Sequence, residues 1–280
     1  MSTTFETRYA SSPKAVKEYD TQQLRDEFLI EDLLQKDKLK WGYTHYDRNM
    51  AGGAVPTSGA LQLEAIDPLK AEHFLDRREI GVINVGGNGK VSVDGKSYTL
   101  NFKDALYIGK GVKEVVFESE ETQSPAKFYM NSAPAHKVYP TKKTSLAEAN
   151  KIELGSLETA NHRTVNQMII GGIVETCQLQ MGMTELKSGS VWNTMPAHVH
   201  DRRMEFYFYI DLPEDQAVCH FMGEPQETRH IWMRKHQAVI SPPWSIHAGS
   251  GTSNYTFVWG MAGENLDYTD MDVAKITELR

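Results

Sequence analysis

NTMPAHVHDRRMEFYFY, residues 193–209, is the stretch that decides the fold. His198 and His200 stand one residue apart. Side chains alternate with period two along a strand, so both imidazoles point to one face. Pro196 ahead of the pair and the apolar alternation behind it favour strand over helix. Glu205 follows His200 by five positions, an odd offset that would send it to the opposite face of an unbroken strand. The polar run Asp201-Arg202-Arg203 supplies the bend or bulge that corrects this. Beyond it Glu205, Tyr207 and Tyr209 share one face, and Phe206, Phe208 and Ile210 the other, which is the pattern of a barrel wall with a polar lumen. A later histidine, His247, closes the segment PPWSIH. Imidazole nitrogens and a carboxylate oxygen suit a borderline divalent cation. We read His198, His200, Glu205 and His247 as one metal site. Paired histidines alone are more often plain surface residues; the acid at its spacing and the later PxxxxH carry the reading.

His-x-His, four residues, Glu and a distant His resemble the cupin metal motif. The wider text is more specific. RRMEFYFY (202–209), GEPQETRHI (223–231), QAVISPPWSIHAG (237–249) and YTFVWGMAGEN (255–265) are similar to the 5-keto-4-deoxyuronate isomerase family of bacterial pectin degradation. So are FLDRREIGVINVGG (74–87) and PAHKVYPTKK (134–143), and the likeness covers nearly the whole chain. Two features depart from a generic cupin: Trp244 stands where the second motif usually has glycine, and no glycine follows Glu205 at the usual distance. Neither removes a ligand; both bear on the turns around the site.

The rest of the chain fits a duplicated, mainly β architecture of two cupin (double-stranded β-helix, jelly-roll-like) barrels with a few short helices. FLDRREIGVINV echoes HVHDRRMEFYFYI, each with Asp-Arg-Arg, then Glu, then a strand. Gly86-Gly87-Asn88-Gly89 and Asp94-Gly95 are hairpin turns rather than a phosphate cradle, since no helix start or Lys-Ser/Thr follows. In this first half only Glu79 survives, with His73 near it, and the place of His247 falls near Lys113 or Glu114. The expected division is residues 1–150, an N-terminal arm and metal-free barrel, and 151–280, the metal-binding barrel. Residues 1–19 read as a loose arm. Asp20 or Thr21 caps a helix over 22–29. A short helix is expected over 146–150, and another at the chain's end, where Asp residues would face the helix dipole. His45, Asp47, His220, His230 and His236 lack ligand spacing and are read as packing or surface groups.

Composition narrows the class. The chain has 280 residues, 40% of them hydrophobic, so it can bury a sizeable core. A net charge of −7 argues against nucleic acid as a partner. No apolar run reaches membrane-spanning length and no secretory signal opens the chain. The two cysteines, Cys177 and Cys219, sit in apolar runs and read as reduced thiols, giving a cytoplasmic expectation.

Three histidines and one carboxylate leave a divalent ion with net positive charge and an open position, a catalytic arrangement. Such an ion polarises a carbonyl and stabilises an enediolate. The resemblance implies aldose–ketose isomerisation of 5-dehydro-4-deoxy-D-glucuronate to 3-deoxy-D-glycero-2,5-hexodiulosonate, one zinc per chain and a homohexamer; ligand chemistry alone equally admits Fe, Mn, Ni or Co. The substrate's carboxylate calls for a cation. Arg202 and Arg203 beside the site, Arg163, and Gln226, Glu227 and Arg229 in a hairpin are candidates, each also explicable as a surface or structural polar group. Tyr207 and Tyr209 are candidate donors to a developing oxyanion, though strand aromatics are more often packing. The general base is not named by the sequence, nor is the choice between proton and hydride transfer. Three alternatives remain: an Fe or Mn redox cupin (dioxygenase or decarboxylase), a non-catalytic sugar-acid binder, and a purely structural ion.

Overall fold

The computed structural model describes residues 3–264 and 266–280. It divides into two compact units that interleave along the chain. The first comprises the residues up to Thr7, Asp32–Ala149 and Met168–Met181; the second comprises Arg8–Glu31, Asn150–Gln167 and Gly182–Arg280. The division is therefore not one cut after residue 150.

Each unit contains one seven-stranded and one four-stranded sheet with the same strand plan. In the first unit the larger sheet runs in the order Thr3–Arg8, Leu39–Thr44, Met50–Ala54, Phe128–Pro134, Arg78–Asn84, Ala105–Ile108 and Lys142–Thr144. In the second it runs Asn150–Leu154, Arg163–Ile169, Gln180–Leu186, Thr256–Gly263, Arg203–Ile210, Ala238–Ser241 and Leu29–Ile30. Arg78–Asn84 and Arg203–Ile210 occupy the same fifth place, and each is antiparallel to the strand listed before it. The smaller sheets also correspond: Leu61–Gln62, Val115–Ser119, Gly89–Val93, Lys96–Leu100 in the first, and Trp192–Asn193, Ala248–Gly251, Val218–Glu224, Glu227–Met233 in the second. This is a duplicated barrel built from hairpins and long crossovers. Asp94 and Gly95 both take positive φ, 44° and 82°, as the two-residue turn joining Gly89–Val93 to Lys96–Leu100 requires.

The two lumens are filled differently. In the first unit, Leu39, Trp41, Ile80, Val82, Phe128 and Met130 of the large sheet meet Val91, Leu100, Val115 and Phe117 of the small one in a single apolar cluster. Residues of this kind contribute about 25 cal/mol per Å² of apolar surface removed from water, so their burial stabilises this barrel. In the second unit the facing residues are polar: the Tyr209 hydroxyl on the large sheet is 2.8 Å from His220 Nδ1 on the small one.

The match between Glu79 and Glu205 fails by one residue. Arg78 and Arg203 are the equivalent residues, each buried at the start of its strand. Ile80 consequently holds the place of Glu205 and joins the apolar cluster. Glu79 points the other way. Its carboxylate accepts from the backbone N–H groups of Cys177 (2.7 Å), Gln178 (2.8 Å) and Leu179 (2.9 Å) and from the Tyr107 hydroxyl (2.7 Å). His73 lies against Asp76 and Lys113, and Glu114 is exposed.

Other expectations resolve as follows. Thr21–Phe28 is a helix, and Asp20 caps it with Gln23 in a reciprocal capping box. The arm is held rather than loose, with Thr3–Arg8 at a sheet edge and a helical turn over Pro13–Val16. Residues 146–149 form a turn, not a helix. The chain's last stretch is no α-helix: Asp272–Val273 is a short strand paired with His198–Val199, and Ile276–Glu278 is a single 3₁₀ turn. Among the described residues no helix is long and apolar enough to cross a membrane. Both cysteines are free, Cys177 buried and Cys219 partly so.

Candidate metal centre

The site grows from the bend after His200. His198–Val199 is a two-residue strand, Asp201 and Arg202 bend, and Arg203–Ile210 resumes as a strand buried on both faces. The bend turns Glu205 to the side of the histidines. His247 arrives from the turn that precedes Ala248–Gly251. One donor atom from each of His198, His200, Glu205 and His247 lies within 4.8 Å of the others. His247 Nε2 is 2.9 Å from His198 Nε2, His200 Nε2 is 3.0 Å from Glu205 Oε1, and His247 Nε2 is 3.6 Å from the same oxygen. An ion with bonds near 2.1 Å sets neighbouring donors roughly 3.0–3.4 Å apart, depending on coordination number. The donor set therefore fits a divalent metal.

The electrostatics agree. Burial is the main force holding His198 and His247 below the ordinary imidazole value, the latter down to about 4, so both are neutral and offer lone pairs near pH 7. Burial pushes the Glu205 carboxyl up, but the attraction of His247 and the hydrogen bond from His200 outweigh it and hold the group below the usual carboxylate range. His200 Nδ1 lies 2.9 Å from the Asp270 carbonyl and 3.0 Å from Arg203 Nη2; the tautomer with Nε2–H donates to Glu205, and the tautomer with Nδ1–H donated to the carbonyl leaves the Nε2 lone pair for an ion. Arg203 organises the same neighbourhood, donating to the carbonyls of Asp267 and Asp270.

His198 and Glu205 open on a cavity of about 350 Å³, which Arg163, Tyr207, Trp259 and Tyr268 also line. Gly182 makes room for one wall: a Cβ there would fall 2.3 Å from the Trp259 ring.

A family model described as KduI/IolB family matches residues 28–276. The chain belongs to the KduI/IolB family. Among its relatives, the "4-deoxy-L-threo-5-hexosulose-uronate ketol-isomerase" of Formosa agariphila is 76% identical over 280 residues, covering all of both chains. The protein of the same name from Bacteroides fragilis is 55% identical, again over both full lengths. Among solved structures, an IolB-like protein from Salmonella typhimurium superposes with a TM-score of 0.68 at 15% identity, covering 81% of this chain and 87% of that one. Bacillus subtilis oxalate decarboxylase gives 0.55 at 12% identity, covering 80% and 71%. These two likenesses establish the fold as a duplicated cupin.

Within this family fold the remaining candidates separate. Tyr207 lines the cavity, its hydroxyl 2.8 Å from Thr194 Oγ1 and its ring 5.4 Å from that of His247. Burial raises its pKa well above the ordinary phenol value. Tyr209 is deeper and meets His220 instead. Arg163 and Arg203 line the cavity. Arg202 does not; it forms an exposed ion pair with Glu264. Gln226 and Arg229 do not either. Gln226 donates to the Glu278 carbonyl, and Arg229 pairs with Glu227 and donates to the Lys17 carbonyl. Sequence reasoning missed Tyr268, Met271 and the Asp270 carbonyl, because that tail was read as a helix. It also missed His220, which faces the lumen; its position two residues along the strand from Val218 and Met222, both buried, was the available signal.

His220 gives a pH prediction. It is fully buried, its Nε2 has no partner among the described residues, and burial pulls its pKa down to about 3. The unfolded chain protonates this residue near pH 6.5 while the folded chain does not, so stability falls as pH drops below 6.5. Between pH 7 and pH 5 the loss from this residue is about 2 kcal/mol. Urea midpoints at the two pH values should differ less in His220→Gln than in the parent; an unchanged difference contradicts the assignment.

Proposed function

We propose that this chain is a metal-dependent ketol-isomerase converting 5-dehydro-4-deoxy-D-glucuronate to 3-deoxy-D-glycero-2,5-hexodiulosonate, a step in bacterial breakdown of pectin-derived uronates. The relatives at 76% and 55% identity are named for this chemistry. The observation that carries the reading is the convergence of three imidazole nitrogens and one carboxylate beside a cavity also lined by Arg163, which has no acidic partner among the described residues. We assign His198, His200, Glu205 and His247 as the ligands of one ion per chain, zinc by family resemblance, in the second barrel; the first barrel is metal-free. Cytoplasmic location and hexameric assembly belong to the same reading.

When bound, the ion supplies Lewis acidity, polarising the substrate carbonyl and offsetting charge that develops on the neighbouring oxygens. The chain's own groups do the rest. Arg163, partly buried, donates to the Asn161 carbonyl and has no ion pair among the described residues. It is the natural partner for the substrate carboxylate. The Tyr207 phenol stays protonated at neutral pH, which makes it a hydrogen-bond donor to a substrate oxygen rather than a resting base. Phe257, Trp259 and Met261 form an apolar wall that limits water around the reacting carbons.

The test is metal analysis with an isomerase assay. Chelated protein should be inactive, zinc should restore turnover, and turnover should not consume oxygen. Full activity without metal, or oxygen uptake coupled to turnover, would overturn the proposal. A second test concerns Arg163. Arg163→Ala should raise KM roughly 10- to 100-fold, with a smaller change in kcat, because a charge-assisted hydrogen bond to the unreacting carboxylate is lost. Arg163→Lys should recover part of it. An unaltered KM removes Arg163 from substrate binding.

A further inference from the structure

We infer that the mouth of the first barrel is a second binding site, non-catalytic, for a small organic acid held through its carboxylate. A cavity of about 240 Å³ lies there, bordered by Tyr43, Arg48, Leu69, Phe74, Arg77 and Arg78. Three arginines thus border one hollow. None of them forms an ion pair among the described residues, whereas Arg25, Arg202 and Arg229 elsewhere each hold a glutamate. The nearest acid in sequence, Glu79, sits on the opposite face of the strand and is already engaged by three backbone N–H groups and Tyr107.

Arg78 is built into the site rather than trailing over it. It is only 5% exposed. Its Nε donates to Ser132 Oγ at 3.0 Å, and its Nη2 donates to the carbonyls of Ser132 (2.6 Å) and Arg48 (2.7 Å). Those bonds fix the plane of the guanidinium, and Nη1 has no partner among the described residues. Burial first, and then the Arg48 charge, lower the Arg78 pKa to about 10, so an arriving anion relieves an unfavourable concentration of positive charge. Arg77 is anchored to the carbonyls of Leu69 and Lys70.

The rest of the wall is Tyr43, Leu69, Phe74 and Pro134, which suits a carbon skeleton better than a bare oxyanion. Behind the cavity lies an apolar lumen with no metal-donor set among the described residues, so binding there carries no turnover. Arg78 holds the ladder place that Arg203 holds in the other barrel, so the duplication has kept a cavity at the same end of both.

Isothermal titration of the full-length protein with D-gluconate, an acid with no carbonyl to isomerise, tests this. The parent should bind gluconate at a site that Arg48→Ala/Arg77→Ala weakens at least tenfold, since each charge-assisted bond lost costs about that factor. Isomerase turnover should be unaffected, because neither residue belongs to the second barrel. Arg78→Met should abolish the same site; if it fails to fold, the double variant, which changes two exposed side chains, still decides. Identical gluconate binding by parent and double variant overturns the inference. So does equal binding of neutral glucitol, and so does a change in sedimentation, which would make the arginines a contact between copies. Inorganic phosphate binding as tightly as gluconate would overturn the organic-acid assignment. The outcome is independent of the proposed isomerase activity, whose own variants lie in the other barrel.

Discussion

His200→Ala is expected to cut isomerase turnover by at least about a thousandfold, equivalent to about 4 kcal/mol of transition-state stabilisation. Metal content should fall from about one ion per chain to a small fraction of that. The reasoning is local. His200 Nε2 lies 3.0 Å from the Glu205 carboxylate, and the Asp270 carbonyl orients its other nitrogen. Alanine removes one of three imidazoles from a set with no spare donor within reach among the described residues. The apolar cluster of the first barrel contains none of the four donors, so far-ultraviolet circular dichroism should change little. Metal analysis and steady-state kinetics on the purified variant decide the matter. A variant that keeps its ion and turns over within threefold of the parent would remove the histidine from the centre.

Glu79→Ala is expected to be the most damaging single change in the first unit. It strips the acceptor from three backbone N–H groups and from the buried Tyr107 hydroxyl at once. A buried donor left unsatisfied costs about 1–3 kcal/mol, so the four together cost on the order of 4–12 kcal/mol, comparable with the whole stability of a typical domain. The variant should be insoluble or melt about 10 °C or more below the parent. Glu79→Gln, which keeps one acceptor oxygen, should fall between. Thermal melts of the three proteins check this, and a loss under about 1 kcal/mol would show that residues 177–179 find other partners.

These two glutamates show what the letters disclosed and what they concealed. The second-barrel donors were legible because period-two alternation and one polar bend suffice to place His198, His200 and Glu205 together. The same letters, Asp-Arg-Arg then Glu, misled in the first half. There the acid directly follows the arginine, and a single-residue shift on a strand reverses the face. Glu79 became an anchor for a turn, and Ile80 filled the lumen. Arginines illustrate a second limit. Arg202 is adjacent to the site in sequence but bends outward to Glu264, whereas Arg163 reaches the cavity from a strand three places away in the sheet. Adjacency in sequence does not report which side of a bend a side chain takes. The tail failed for a third reason. Its aspartates looked like a helix start, but helix propensity is weak beside an open strand edge, and Asp272–Val273 paired with His198–Val199.

That pairing has an evolutionary consequence. The tail delivers Tyr268 and Met271 to the cavity wall by their side chains, and it touches the donor strand only through main-chain groups, the Asp270 carbonyl at His200 and the pairing of Val273 with His198. Descendants of this scaffold can therefore exchange side chains along a short terminal ribbon and reshape what fits inside, while its backbone goes on holding the ion's ligands. Selectivity and reactivity are separately heritable in such a design, and change in the one need not wait on change in the other.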